Sequence, residues 1–223
     1  MPDTITHGSL RLHFAWPLIH LIYEPETRTV LENVRWETFV ELADQRRGSV
    51  PRMTYDEGVL ELMSLRRQHE KICRLIGRMV ETFTEVHAIK IQTVASTTFK
   101  RKDLKKAFEA DESYYSQHAE QIRVKDEVDL FIDPPPDLLI EVEVTSSAIG
   151  KLNLFAAMGV TEVWRDNAKR LQIYRLEESH YAPIETSVAV PGLTARMIDS
   201  IVERRFSLGE TALIREFRSS LAG

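Results

Sequence analysis

The chain contains a single cysteine, Cys73, so it can form no internal disulfide, which fits a reducing compartment. Glycine and proline are scarce, nine of each in 223 residues, which excludes a collagen-like or wholly disordered chain. Positive charge is in deficit. The 29 Lys and Arg stand against 34 Asp and Glu, a formal net charge of −5 with His neutral. That balance argues against a generic cationic coat for nucleic acid, and any contact with a polyanion must come from local patches. Long apolar runs are also missing. The stretch from His13 to Ile22 is interrupted by His and Pro, follows no basic segment and is too short for a bilayer, so it reads poorly as a signal peptide. The expectation is a cytoplasmic protein with no membrane partner. No Gly-rich phosphate loop, nucleophile elbow or dinucleotide fingerprint is present, and no internal repeat.

What is present suits a globular core: 43% of residues are apolar and 28% charged. The length favours one large domain with an extension, divided as residues 1–34 and 35–223. Trp36, Phe39, Val40 and Leu42 fit a short helix. Met53–Tyr55 and Val59–Met63 flank Asp56-Glu57-Gly58, which is a hairpin signal. Ile72, Leu75, Ile76, Met79, Val80, Phe83 and Val86 recur every three or four residues and predict a strong helix. Strands are expected over 89–99, 109–115 and 138–145, followed by a helix over 148–158. Ser146 or Ser147 would cap that helix, and Gly159 would end it. Further strands over 161–165, 171–176 and 181–188 precede helices near 194–205 and 208–220. Mixed strands with flanking helices point to an α/β or α+β domain on one central sheet.

Strand side chains alternate faces, so Leu139, Glu141, Glu143 and Thr145 share one face of 138–145 and Leu138, Ile140, Val142 and Val144 the other. The aliphatic face must lie against packed structure. The carboxylates of the opposite face must be solvated, paired or bound to a cation. An edge strand with a polar solvent face is one reading. The sharper one comes from a second acidic strand, in which Glu109, Asp111, Ser113 and Tyr115 share a face. If the two strands are neighbours, Asp111, Glu141 and Glu143 converge as hard oxygen ligands suited to Mg2+ or Mn2+. Lys151, one turn into the following helix, could reach the same place, although alone it reads as a solvated surface lysine.

Three blocks, Ser96-Thr97-Thr98-Phe99-Lys100-Arg101, Glu109-Ala110-Asp111-Glu112-Ser113-Tyr114-Tyr115 and Pro134 through Thr145, are followed by Lys151 and by Gly159-Val160-Thr161-Glu162-Val163-Trp164-Arg165. In this order and spacing they resemble the Uma-type family of restriction-endonuclease-like proteins, over roughly residues 35–205. The resemblance implies a PD-(D/E)XK nuclease fold, a central mixed β-sheet flanked by helices. It also implies metal-dependent phosphodiester hydrolysis, DNA as the partner, and a homodimer or higher homo-oligomer. Two departures stand out. Ala110 precedes Asp111 where the family has Pro, and Glu143 occupies the place of the superfamily's Lys. The resemblance assigns that Lys to Lys151, leaving Glu143 as an extra ligand, a base or the mark of a weakened enzyme. Catalysis is then expected from Asp111, Glu141, Glu143 and Lys151, with Asp111, Glu141 and Glu143 holding Mg2+ or Mn2+ as cofactor.

His69 and Cys73 stand four residues apart on the strong helix, but no second Cys or His pair completes a zinc site. Cys73 reads as a core-adjacent thiol, and His69 as a helix cap or a residue approaching the pocket. Two positive segments flank the carboxylates. Residues 97–106 carry Lys100, Arg101, Lys102, Lys105 and Lys106 against Asp103, and residues 64–74 carry Arg66, Arg67, Lys71 and Arg74 against Glu70. Lys100, Arg101, Lys102, Arg66 and Arg67 are candidate phosphate contacts, set against the plainer reading of solvated surface charge. Two functional classes remain: a metal-dependent endonuclease, and a catalytically weak or inactive nuclease-fold module that regulates by binding protein or nucleic acid.

Overall fold

The computed structural model describes residues 27–46, 51–64, 67–143 and 147–221. The chain runs through β1 (Thr27–Leu31), α1 (Trp36–Gln45), β2 (Arg52–Asp56), β3 (Val59–Ser64) and the long helix α2 (Arg67–Val86). Next come β4 (Gln92–Thr93), β5 (Thr98–Arg101), β6 (Lys106–Glu109), β7 (Glu112–Tyr115), the short α3 (Ala119–Ile122) and β8 (Leu138–Val142). The remainder is α4 (Lys151–Ala157), β9 (Glu162–Asp166), β10 (Leu171–Glu177), β11 (His180–Ile184), α5 (Ala195–Val202) and α6 (Glu210–Ser220). Among the described residues no helix is long and apolar enough to cross a membrane.

These strands form two sheets where the sequence pattern suggested one. The first, in the order β1-β3-β2-β6-β5, is antiparallel throughout. The second, β11-β10-β9-β8-β7-β4, is mixed, with β8 and β9 parallel. The expected strand over 89–99 is divided between the sheets as β4 and β5, and that over 109–115 as β6 and β7. A buried carboxylate explains the second division. Glu109 forms a salt bridge with Arg46, and it accepts from the Met53 N–H at 3.1 Å and the Thr98 hydroxyl at 2.6 Å. Those bonds pin the end of β6 to the first sheet. Ser113 meanwhile pairs with Leu139 in the second. Ala110 and Asp111 therefore cross between sheets, and face alternation does not carry across them. Thr27–Leu31, within the stretch read as an extension, adds an edge strand beside β3.

The β2–β3 hairpin follows its turn chemistry, since Glu57 and Gly58 both take positive φ, at 46° and 104°. The α2 stripe is buried as its periodicity demands, with Ile72, Ile76, Met79 and Phe83 packed against Leu138, Ile140 and Val142 of β8. Helices α5 and α6 extend this layer through Ile198, Leu213 and Phe217. Gly77 lets α2 approach β7 closely, because a Cβ there would sit 3.0 Å from the Tyr114 hydroxyl oxygen. On the other face of β8, Leu139 joins Phe99, Phe108, Leu154 and Phe155. A third cluster of Trp36, Phe39, Tyr55 and Leu60 seats α1 on the first sheet.

The expected strand over 138–145 is β8 up to Val142; residues 144–146, including Thr145 and Ser146, lie outside the described residues. Helix α4 starts at Lys151 after Gly150 rather than at a serine cap. Ser147 is engaged elsewhere, donating to Glu61 of β3 at 2.9 Å. Gly159 ends the helical segment with φ of 80°, as expected. Because β8 is covered on both faces, truncating it opens a cavity that cannot collapse. Ile140→Ala should lower stability by about 3 kcal/mol and Ile140→Val by about 1 kcal/mol, measured by urea unfolding.

Candidate active site

The β7–β8 register pairs Glu112 with Ile140, so one step further along Asp111 stands level with Glu141. The crossing between sheets thus delivers one carboxylate to the end of β8, and the strand supplies the other. Both are buried, at 5% and 2% exposure. Asp111 Oδ2 lies 2.9 Å from His69 Nε2 and accepts from the Val142 backbone N–H at 2.8 Å. Asp111 Oδ1 faces Arg52 Nε at 4.0 Å. Lys151 reaches back from α4 and donates from Nζ to Glu141 Oε2 at 2.5 Å. The other oxygen, Oε1, is buried with no hydrogen-bond partner.

Burial acts on all three ionisable groups, and their neighbours decide the outcome. For Asp111, burial raises the pKa, but His69, Lys151 and the Val142 N–H outweigh it and leave the carboxyl below its ordinary value. For Lys151, burial disfavours the ammonium, while Glu141, Asp111 and Glu143 together hold it protonated. For Glu141, burial dominates, reinforced by Asp111 and Glu143 and only partly offset by Lys151, and the carboxyl is pushed up to about 7. Of the three, Glu141 is the group that titrates nearest neutrality.

Glu143 lies just past β8. Its carboxylate is bound to Arg165 of β9, and its N–H donates to the Asp166 carbonyl at 2.7 Å. It lines a cleft of about 510 Å³ together with Lys151, Ser147, Asn153 and Arg165. The structure therefore brings Asp111, Glu141 and Lys151 together, with Glu143 beside them on its own cation. Among the described residues, no three His, Cys, Asp or Glu side chains converge in a metal-binding group.

Of the positive segments, much is neutralised within the chain. Lys100 pairs with Asp44 at 2.8 Å, Arg101 with Asp103 at 2.6 Å, and Lys106 with Asp56 and Glu57. Lys102 and Lys105, in the β5–β6 turn, form no ion pair among the described residues. On α2, Arg67 and Lys71 are exposed, and Arg74 lies 3.7 Å from Glu112. Arg66 lies outside the described residues.

His69, read from the sequence as a helix cap or a residue approaching the pocket, takes the second role. It does not cap α2; its side chain is buried on Asp111. A signal existed, because His69 precedes Ile72 and Ile76 by three and seven residues and so belongs to the buried stripe, where an imidazole needs a polar partner. Arg52 had no comparable signal, since only the meeting of the two sheets brings it to Asp111. Cys73 is buried as expected, and burial pushes its thiol well up.

A mixed sheet with helices against it, and two carboxylates and a lysine gathered at the end of a central strand, define a restriction-endonuclease-like protein. The family model Uma2, described as "Putative restriction endonuclease", matches residues 36–201, and the chain belongs to that family. A crystal structure described as a "putative nuclease belonging to DUF820", from Anabaena variabilis ATCC 29413, shares the fold. It matches with a TM-score of 0.54 and 14% identity, over 76% of this chain and 99% of that one. No curated protein matches the chain.

The raised carboxyl of Glu141 makes stability depend on pH. The folded state keeps this proton up to about 7, whereas an unfolded Glu releases it near about 4.3. Its contribution is therefore complete below the unfolded value and lost as pH rises through the folded one. Asp111 works in the opposite sense, its contribution present above about pH 4 and lost only below that. Urea unfolding of the metal-free protein should show stability falling between about pH 4 and about pH 7, and Glu141→Gln should flatten that slope.

Proposed function

We propose that the chain is a Mg2+- or Mn2+-dependent endonuclease that hydrolyses phosphodiester bonds in DNA. The observation that carries this reading is the placement of Asp111 level with Glu141, with the Lys151 ammonium on Glu141. The donor set suits a hard divalent cation, because Glu141 Oε1 is a buried carboxylate oxygen without a hydrogen bond and Asp111 Oδ1 has only the Arg52 Nε at 4.0 Å. Asp111 and Glu141 would hold the ion, with water and substrate oxygens in the other positions. When bound, it would polarise a phosphate oxygen and lower the pKa of a water.

The chain's own residues do the rest. His69 and the Val142 N–H fix the Asp111 carboxylate, so that its free oxygen keeps one direction. Lys151, held protonated, offsets negative charge developing on the phosphate. Glu143 and Arg165 line the cleft through which a strand would approach, and Glu143 serves as a further ligand or base on exchanging its Arg165 partner. Phosphate contacts along the strand fall to Lys102, Arg67 and Lys71, with Lys100 and Arg101 contributing once released from Asp44 and Asp103. Because Lys100, Arg101 and Lys106 are paired within an acidic chain, binding is weak, and what there is rests on charge and is salt-sensitive.

A second reading is a nuclease-fold module without turnover, acting by binding. Lys151 already occupies one Glu141 oxygen, and among the described residues no three His, Cys, Asp or Glu side chains form a metal-binding group, which favours it. Plasmid nicking separates the two. The endonuclease reading expects cleavage with Mg2+ or Mn2+, reduced at least about 100-fold by Asp111→Ala or Glu141→Ala. Wild-type protein that leaves DNA and RNA intact with either metal would establish the binding module instead.

A further inference from the structure

Several buried charged side chains among the described residues are held by hydrogen bonds. Glu109 accepts from Arg46, Met53 N–H and Thr98, and Asp137 accepts from the Ser116 and His118 N–H groups and meets His118 Nδ1 at 2.7 Å. Arg46 and Arg205 each leave Nε without a partner but donate through their terminal nitrogens. Arg52 differs. Its side chain is 9% exposed, and both Nε and Nη1 are enclosed without a hydrogen-bond acceptor among the described residues. A guanidinium stays charged and presents five N–H donors in a planar fork, so this burial costs stability unless something accepts from it.

The place towards which it points is specific. Arg52 belongs to β2 of the first sheet, yet its Nε stands 4.0 Å from Asp111 Oδ1, beyond hydrogen-bond reach and within electrostatic reach. Oδ1 is the Asp111 oxygen that neither His69 nor the Val142 N–H engages. A purely structural arginine would be expected to close on that oxygen, as Arg46 closes on Glu109 at 2.9 Å. Arg52 thus leaves N–H donors unused beside the carboxylate pair, where Lys151 of α4 donates to Glu141.

We infer that Arg52 is a substrate-binding residue, whose guanidinium donates to a non-bridging oxygen of a phosphate seated beside it at the Asp111–Glu141 pair. A tetrahedral phosphate oxyanion is the ligand class that suits a fork of N–H donors, and Arg binds it in a way that Lys, a single point charge, does not reproduce. The identity of the phosphate, as a phosphodiester of the nucleic acid to be cut, rests on the nuclease reading; the binding itself can be measured without turnover.

The experiment uses the metal-free full-length protein and inorganic phosphate as the probe, following the shift in thermal unfolding against chloride at equal ionic strength. Wild-type protein should be stabilised saturably by phosphate. Arg52→Met should lose that response, and Arg52→Lys, which keeps the charge but not the fork, should bind at least about tenfold more weakly. Absence of phosphate stabilisation in the wild type, or a wild-type response in Arg52→Met, overturns the inference. Should Arg52→Met not fold, Arg52→Lys decides it, a wild-type response again overturning it. The nuclease reading stands or falls separately, on Mn2+-dependent nicking and its loss in Asp111→Ala and Glu141→Ala. Phosphate binding that depends on Arg52 without any nicking would leave the site a phosphate-binding module.

Discussion

Charge buried where the two sheets meet is the constraint around which this molecule is arranged. Asp111 sits in the two-residue crossing between β6 and β7. It can be ionised there only because His69, the Val142 N–H and the nearby Lys151 compensate its desolvation. Those groups come from α2, β8 and α4, so the carboxylate ties together elements from both faces of β8. Removing water from an unpaired carboxylate would cost several kcal/mol, which makes the placement of these elements interdependent.

The other buried carboxylates show what a structural role looks like here. Glu162 accepts from Trp164 Nε1, the Ser187 hydroxyl and two backbone N–H groups, fixing the loop that precedes α5. Glu61 accepts from Arg28, the Ser147 hydroxyl and the Ala148 N–H, holding the approach to α4 against the first sheet. Each of these is saturated with donors. The Asp111–Glu141 pair is different, since Glu141 Oε1 and two Arg52 nitrogens are enclosed without partners. That three such atoms gather beside one carboxylate pair, where the other side chains of this kind leave a single atom, is the observation behind the proposed phosphate contact.

Electrostatics at the surface tells a related story. The local positive balance of residues 97–106, already net of Asp103, is reduced by Asp44 of α1 on Lys100 and by Asp56 and Glu57 at the β2–β3 hairpin on Lys106. Counting charge along the chain overstates the free cationic surface, because partners distant in sequence are invisible to it. The acidic net charge remains consistent with a site whose polyanion affinity is local rather than global.

Much was nevertheless legible from the residues alone. Apolar spacing located α1, α2, α5 and α6, turn chemistry located the β2–β3 hairpin, and alternation in β8 separated its aliphatic face from Glu141. The ordered blocks pointed to Asp111, Glu141 and Lys151, which do lie together. These are short-range properties, set by periodicities of two and 3.6 residues and by local turn preferences. The division of residues 109–115 between two sheets was not legible, because it depends on Glu109 meeting Arg46 and Met53, residues 63 and 56 positions away. Nor was the pairing of Glu143 with Arg165 or the approach of Arg52 to Asp111. Sequence determined which segments become helix or strand and which carboxylates stand at the end of the central strand. Tertiary structure alone decided which cation each of them meets, because ion pairing follows distance in space and the crossing between sheets sets those distances.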